Sequence, residues 1–88
     1  MTPDGQTTGV KAVVEVLART LTDRPDDVQV VESQRKDVTL VELYVAPGDL
    51  GKVIGKQGRM AAALRTLASA AGEREGKQVT LEIRDGRP

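Results

Sequence analysis

The residues of this chain best suited to chemistry fall in one stretch, Gly51-Lys52-Val53-Ile54-Gly55-Lys56-Gln57-Gly58-Arg59. Gly55 and Gly58 bracket Lys56 and Gln57. Glycine at both ends permits a tight turn and lets a bulky group approach the backbone. A helix predicted to start at Arg59 would leave its first N–H groups without intrahelical acceptors, and its dipole adds positive potential there. Lys56 and Arg59 add formal charge, and the Gln57 amide adds a donor. That combination suits an anion, and its natural ligand is a phosphate of a nucleic-acid backbone. Phosphate contacts carry no sequence information, so an adjoining surface must receive the bases. Val53 and Ile54 supply an aliphatic floor, with Val53 expected toward the groove and Ile54 inward. Lys52 extends the positive edge, and Gly51 belongs to the same binding segment.

Other chemistries fit the sequence poorly. A phosphate-binding P-loop needs four residues before its Gly-Lys pair and then a hydroxyl residue for magnesium. Here three residues separate Gly51 from Gly55-Lys56, and Gln57 follows. A plain helix–helix turn accounts for one glycine but not for two around Lys-Gln, with Val-Ile before and Arg after. With no Cys and no His, the chain lacks thiol or imidazole nucleophiles, disulfides and Cys/His metal sites. Asp26-Asp27 and Glu73-Arg74-Glu75 read as solvated turns or helix ends, and no pair of acids has a partner for acid–base work. The expectation is therefore a non-enzymatic protein with no cofactor and no metal.

The net charge is zero, yet the charge is unevenly placed. Residues 1–49 carry a balance of −4, while residues 50–70 hold Lys52, Lys56, Arg59 and Arg65 with no acid. A short cationic stretch on a neutral protein suits a local anion contact, not a long duplex footprint. Tyr44 is the one aromatic residue, which excludes a stacking platform.

The surrounding elements must hold this segment in place. Val10, Val13, Val14, Leu17 and Leu21 predict a first helix, capped by Thr7 or Thr8 and ended before Asp23-Arg24-Pro25. Val28–Glu32 and Val38–Val45 read as strands joined by the polar residues 33–37. The second has apolar residues on both faces, so it is expected to be central. Pro47 suits the first turn of a short helix in which Leu50, Val53 and Ile54 share a face. A third helix is expected over Arg59–Ala71, with a stripe of Met60, Leu64, Leu67, Ala68 and Ala71 and a cap at Gly72. Met60–Leu64 is expected to be core-facing helix, and the run Ala61-Ala62-Ala63 would also permit close approach of a second subunit. Val79, Leu81 and Ile83 alternate as a last strand. A sheet covered on one face by helices is the economical packing.

Val53-Ile54-Gly55-Lys56-Gln57-Gly58-Arg59 resembles the signature of KH domains, whose GXXG loop clamps about four nucleotides of single-stranded nucleic acid. Within so short a chain, Val45-Ala46-Pro47 through Arg59 resembles the KhpA family of bacterial single-KH-domain RNA-binding proteins. The resemblance covers roughly residues 9–84. It implies an α+β, type II KH fold: α-β-β-α-α-β, a three-stranded mixed sheet with three helices on one face. It implies RNA contacts over Gly51–Arg59; a flexible N-terminal tail at 1–8 and a C-terminal tail at 85–88 are expected outside it. It further implies single-stranded RNA as ligand, and a homodimer or a pairing with KhpB, a larger KH-domain protein. An RNA-chaperone role influencing gene expression, cell elongation and cell-wall homeostasis follows from the same resemblance. The other reading is a protein-interaction adaptor whose KH surface serves assembly. Residues 1–9 lack the apolar core of a signal peptide, and no apolar run reaches a membrane-spanning length. The expected setting is the cytoplasm, with no membrane partner.

Overall fold

The computed structural model describes residues 9–88. The expected 1–8 tail and the cap at Thr7 or Thr8 lie outside them. The elements run α1 (Gly9–Leu21), β1 (Gln29–Arg35), β2 (Val38–Val45), α2 (Leu50–Ile54), α3 (Arg59–Glu73) and β3 (Gln78–Asp85). Single 3-10 turns at Pro25–Asp27, Pro47–Asp49 and Lys56–Gly58 join them. The strand order is β1-β2-β3, with β1 antiparallel and β3 parallel to the central β2. This is the type II KH arrangement, an α+β fold with a mixed sheet.

Alternation along β2 explains the one-sided packing. Thr39, Val41, Leu43 and Val45 are buried and face the helices, while Leu40, Glu42 and Tyr44 take the other face. Val10, Val14 and Ala18 of α1, Val53 of α2, and Leu64 and Ala68 of α3 close over this face, with Leu81 beside Val41. No helix among the described residues packs on the outer face, where Leu40, Glu42 and Tyr44 are half-buried. Its apolar residues reflect partial cover by neighbouring strands, not a second layer. Tyr44 lies there, against Glu42 and within reach of Arg84 by way of that carboxylate.

Several boundaries differ from the sequence reading. β1 starts one residue later than expected and continues through the polar Ser33-Gln34-Arg35, because Leu40, Thr39 and Val38 pair with them. Ladder bonding outweighs the low strand propensity of polar residues. Gly72 is not a cap: α3 continues through it to Glu73, and Gly72 is buried where Val79 crosses the helix. The turn comes later, at Gly76, with φ 70°. Leu67, placed in the buried stripe by its spacing, is 45% exposed, and Ala61 takes the inward place. β3 runs through Asp85, which pairs with Val45.

A charge cluster ties this end of the molecule together. Lys77 pairs with Glu75 at 3.2 Å and with Glu32 at 3.3 Å, and Glu75 also accepts from the Gly9 N–H. The Glu75 hydrogen bond is the main reason that the Lys77 ammonium is held above its usual range. No helix among the described residues is long and apolar enough to cross a membrane.

Candidate nucleic-acid interface

The expected loop sits between α2 and α3, and its backbone explains both glycines. Gly55 has φ 77° and ψ 174°, a region essentially restricted to glycine. A Cβ there would lie 2.6 Å from Met60 Cβ and 2.9 Å from Met60 N. Gly58 is left-handed at φ 74°, with open space where a Cβ would stand. Gln57 between them is also left-handed, at φ 58°. A non-glycine residue in that region is uncommon, and such local strain gathers at ligand sites.

The loop is closed by Gly55 N–H donating to Gly51 O at 2.8 Å and Gly58 N–H donating to Gly55 O at 3.1 Å. No side chain caps α3. The Arg59 N–H donates back to Lys56 O, and no side chain among the described residues covers the positive end of the helix. Arg59 donates to Gln57 Oε1 at 3.0 Å. That fixes the amide orientation: its oxygen meets the guanidinium, and its NH2 is left to donate outward. Lys56 and Arg59 are exposed and have no acidic partner among the described residues.

Three residues of the segment are placed differently from expectation. Val53 is fully buried within the core, whereas Ile54 is half-buried at the rim. This reverses the assignment of Val53 to the groove and Ile54 to the interior. Leu50, Val53 and Ile54 do form a stripe, but a stripe of ~100° has two edges, and the core covers the Leu50–Val53 edge. Lys52 does not join the loop cations. Its ammonium lies 3.2 Å from Asp23 and 3.9 Å from Asp49, acids that the α1–β1 connection and the turn before α2 bring to it.

Asp49 is a support of the segment that the sequence reading does not identify. It is 3% exposed, and its carboxylate accepts the Arg24 N–H at 2.9 Å. It thereby fastens the α1–β1 connection to the start of α2, which carries the loop. Asp49→Ala strands the Arg24 N–H and is expected to lower stability by about 1–3 kcal/mol. Asp49→Asn, which keeps an acceptor, should lose less. Urea denaturation of the two variants beside wild type checks the order.

The wall opposite the loop is the free edge of β3, the strand on which α2 and α3 both pack. Arg65, one turn and a half beyond the loop on α3, donates from Nε to Leu81 O at 3.3 Å across this wall. Arg65 entered the sequence reading only as one of four cations. Nothing in its spacing reveals that it reaches the strand.

The comparisons agree with this geometry. The family model described as "KhpA/KhpB, KH domain" matches residues 11–83. A protein named RNA-binding protein KhpA from Clostridium perfringens is 49% identical over 74 residues, 84% of this chain and 99% of the relative. Its namesake from Aquifex aeolicus is 50% identical over 74 residues, 84% of this chain and 94% of the relative. Among solved structures, Aquifex aeolicus Era bound to GDP and aluminium fluoride superposes with a TM-score of 0.65 at 22% identity, covering 89% of this chain and 31% of Era. Era in complex with MgGDPNP and nucleotides of 16S ribosomal RNA gives 0.60 at 22% identity, covering 88% and 30%. This chain spans about a third of Era, and at that identity the likeness is one of fold. With the loop geometry, the family model and close relatives over most of the chain in agreement, the chain belongs to the KhpA/KhpB KH-domain family.

Proposed function

We propose that this chain is a non-enzymatic RNA-binding protein that clamps the backbone of short single-stranded RNA with its Gly55–Gly58 loop. The observation that carries the reading is the pair of positive-φ glycines around Lys56-Gln57 at the uncapped start of α3. Lys56, Gln57 and Arg59 face the phosphates. Ile54 gives the aliphatic edge for bases, with Val53 fixed beneath it and Gly51 and Lys52 holding α2 in place. The domain spans residues 9–84 together with Asp85, the last residue of β3. RNA chaperoning in the cytoplasm, with effects on gene expression, cell elongation and cell-wall homeostasis, is the physiological role that the family membership favours. Crosslinking in cells and sequencing of the attached RNA tests the reading. Recovery no greater than from a chain with a disabled loop would overturn it.

One KH domain holds few nucleotides, so a second copy, or KhpB, would raise affinity through effective concentration. An apolar patch supports such assembly, and it also supports the adaptor reading. Val16 is 63% exposed and stands beside Ala12, Val13, Leu17 and the exposed Leu67, across α1 and α3. Val16→Glu with Leu67→Glu would bury two carboxylates in an apolar contact, a cost of several kcal/mol. Self-association is expected to weaken by at least about 100-fold, read by sedimentation velocity across a concentration series. A wild-type chain that stays monomeric throughout rules out the homodimer. Partner capture that survives both ribonuclease and loop mutation favours the adaptor.

A further inference from the structure

The chain has a second polar feature on the same groove, and it differs in kind from the loop. β3 is an edge strand. Successive residues of a strand direct their backbone groups to alternate sides. Because Leu81 O meets Arg65, Leu81 faces the open side, while its neighbours Thr80 and Glu82 face β2. The Arg65 Nε–H occupies that carbonyl. The guanidinium is planar and rigid, so this one bond also orients its far end. Its two terminal nitrogens have no partner among the described residues, and no carboxylate neutralises the group. They form a fork of donors with no acceptor.

Position matters as much as chemistry. Arg65 lies six residues from Arg59, about 9 Å along the helix axis. It shares a helix face with Gly58 and Ala62, at spacings of seven and three residues. Ala62 leaves no bulk between the loop and the guanidinium. A strand whose phosphates rest on the loop would pass its bases within reach of Arg65, inside the span of about four nucleotides that such a loop holds.

We propose that Arg65 is a base-reading residue: latched to β3 through Nε, it offers two parallel donors to a nucleobase with two adjacent acceptors. Cytosine presents O2 and N3 side by side, and guanine presents O6 and N7. Uracil separates its two acceptors with an N–H. Adenine sets its amino donor beside N1 and N7, so one arm of the fork would face a donor instead of an acceptor. The inference rests on the RNA reading above and adds a base preference that the loop cannot supply, since the loop contacts phosphates.

The test uses the full chain and four seven-nucleotide RNAs, uridine throughout or with a single central A, C or G. Fluorescence anisotropy reads their affinities for wild type, Arg65→Lys and Arg65→Gln, with thermal unfolding measured alongside. Wild type should bind the C and G forms about ten-fold more tightly than the A and U forms. Arg65→Lys keeps the charge without the fork, so its overall binding should persist while the discrimination disappears. Arg65→Gln should lose the discrimination and some affinity for all four. A wild-type chain that does not discriminate overturns the proposal, as does a discrimination that either variant retains. Equal weakening of all four RNAs by Arg65→Lys, with their ratio unchanged, reduces Arg65 to a general charge contact and overturns it too. Wild type that binds none of the RNAs defeats the RNA reading itself, a different result from any of these.

Discussion

Lys56→Asp combined with Gln57→Asp is expected to abolish binding of single-stranded RNA while leaving thermal unfolding within a degree or two of wild type. Both side chains are exposed, and neither supports the core. Each makes a charge-assisted or amide donor contact to phosphate in the proposed complex, and contacts of that kind contribute about 1.5–3 kcal/mol. Their replacement by carboxylates adds repulsion. A loss above about 3 kcal/mol is more than 100-fold, enough to remove detectable binding from a domain that holds few nucleotides. The backbone should tolerate the change. Asp is among the residues that accept a left-handed conformation, as position 57 requires. Acids next to a helix N-terminus are favourable, so stability should not fall. Salt supplies a control. With Lys56 and Arg59 as the two phosphate-contacting cations, the logarithm of the wild-type association constant should fall by about 1.4 per decade of salt. Retained binding by the double variant, with an unchanged salt slope, would remove the loop from the site.

Gly55→Ala acts on a different level, through the backbone of the loop and its packing on Met60. Its backbone lies in a glycine-only region, which costs another residue about 1–3 kcal/mol. The new Cβ would also meet the Met60 backbone and Cβ at contact distances no native side chain keeps. Helix α3 cannot yield locally, because Ala61 and Leu64 are fixed in the core. Overpacking of this kind costs about 1–3 kcal/mol. A combined loss of about 3 kcal/mol corresponds to a fall of roughly 12–24 °C in melting temperature for a domain of this size. Gly58→Ala provides the contrast. It carries the left-handed penalty but meets open space, so about 1 kcal/mol is expected. Calorimetry on the two variants orders them. Equal melting temperatures would contradict the close approach of Gly55 to Met60.

The two glycines illustrate how far the sequence reaches. Their spacing around Lys-Gln identifies a loop at a helix start, since few other backbones call for that pattern. It does not distinguish them: one excludes a side chain through both φ and a neighbour, the other through φ alone. That difference arises where Met60 of α3 folds back over Gly55. Val53 and Ile54 present the same division. Periodicity places them on one stripe with Leu50, but which edge of the stripe is buried depends on how α2 is rotated against the sheet. The same freedom on α3 leaves Leu67 exposed although its spacing places it in the stripe.

What this sequence determines by itself is local. Alternation gives the strands, the 3.6-residue period gives the long helices, and the segment Gly55–Gly58 gives the tight turn before α3. Each follows from preferences that act over a few residues. Tertiary structure alone decides the pairings between distant residues. Asp49 takes the N–H of Arg24, Asp23 and Asp49 draw Lys52 away from the loop cations, and Arg65 spans to Leu81 on the edge of β3. Those contacts depend on the relative positions of packed elements, which no local preference encodes. The sequence thus marks where a phosphate would bind, and the fold decides which cations remain free to meet the rest of the RNA.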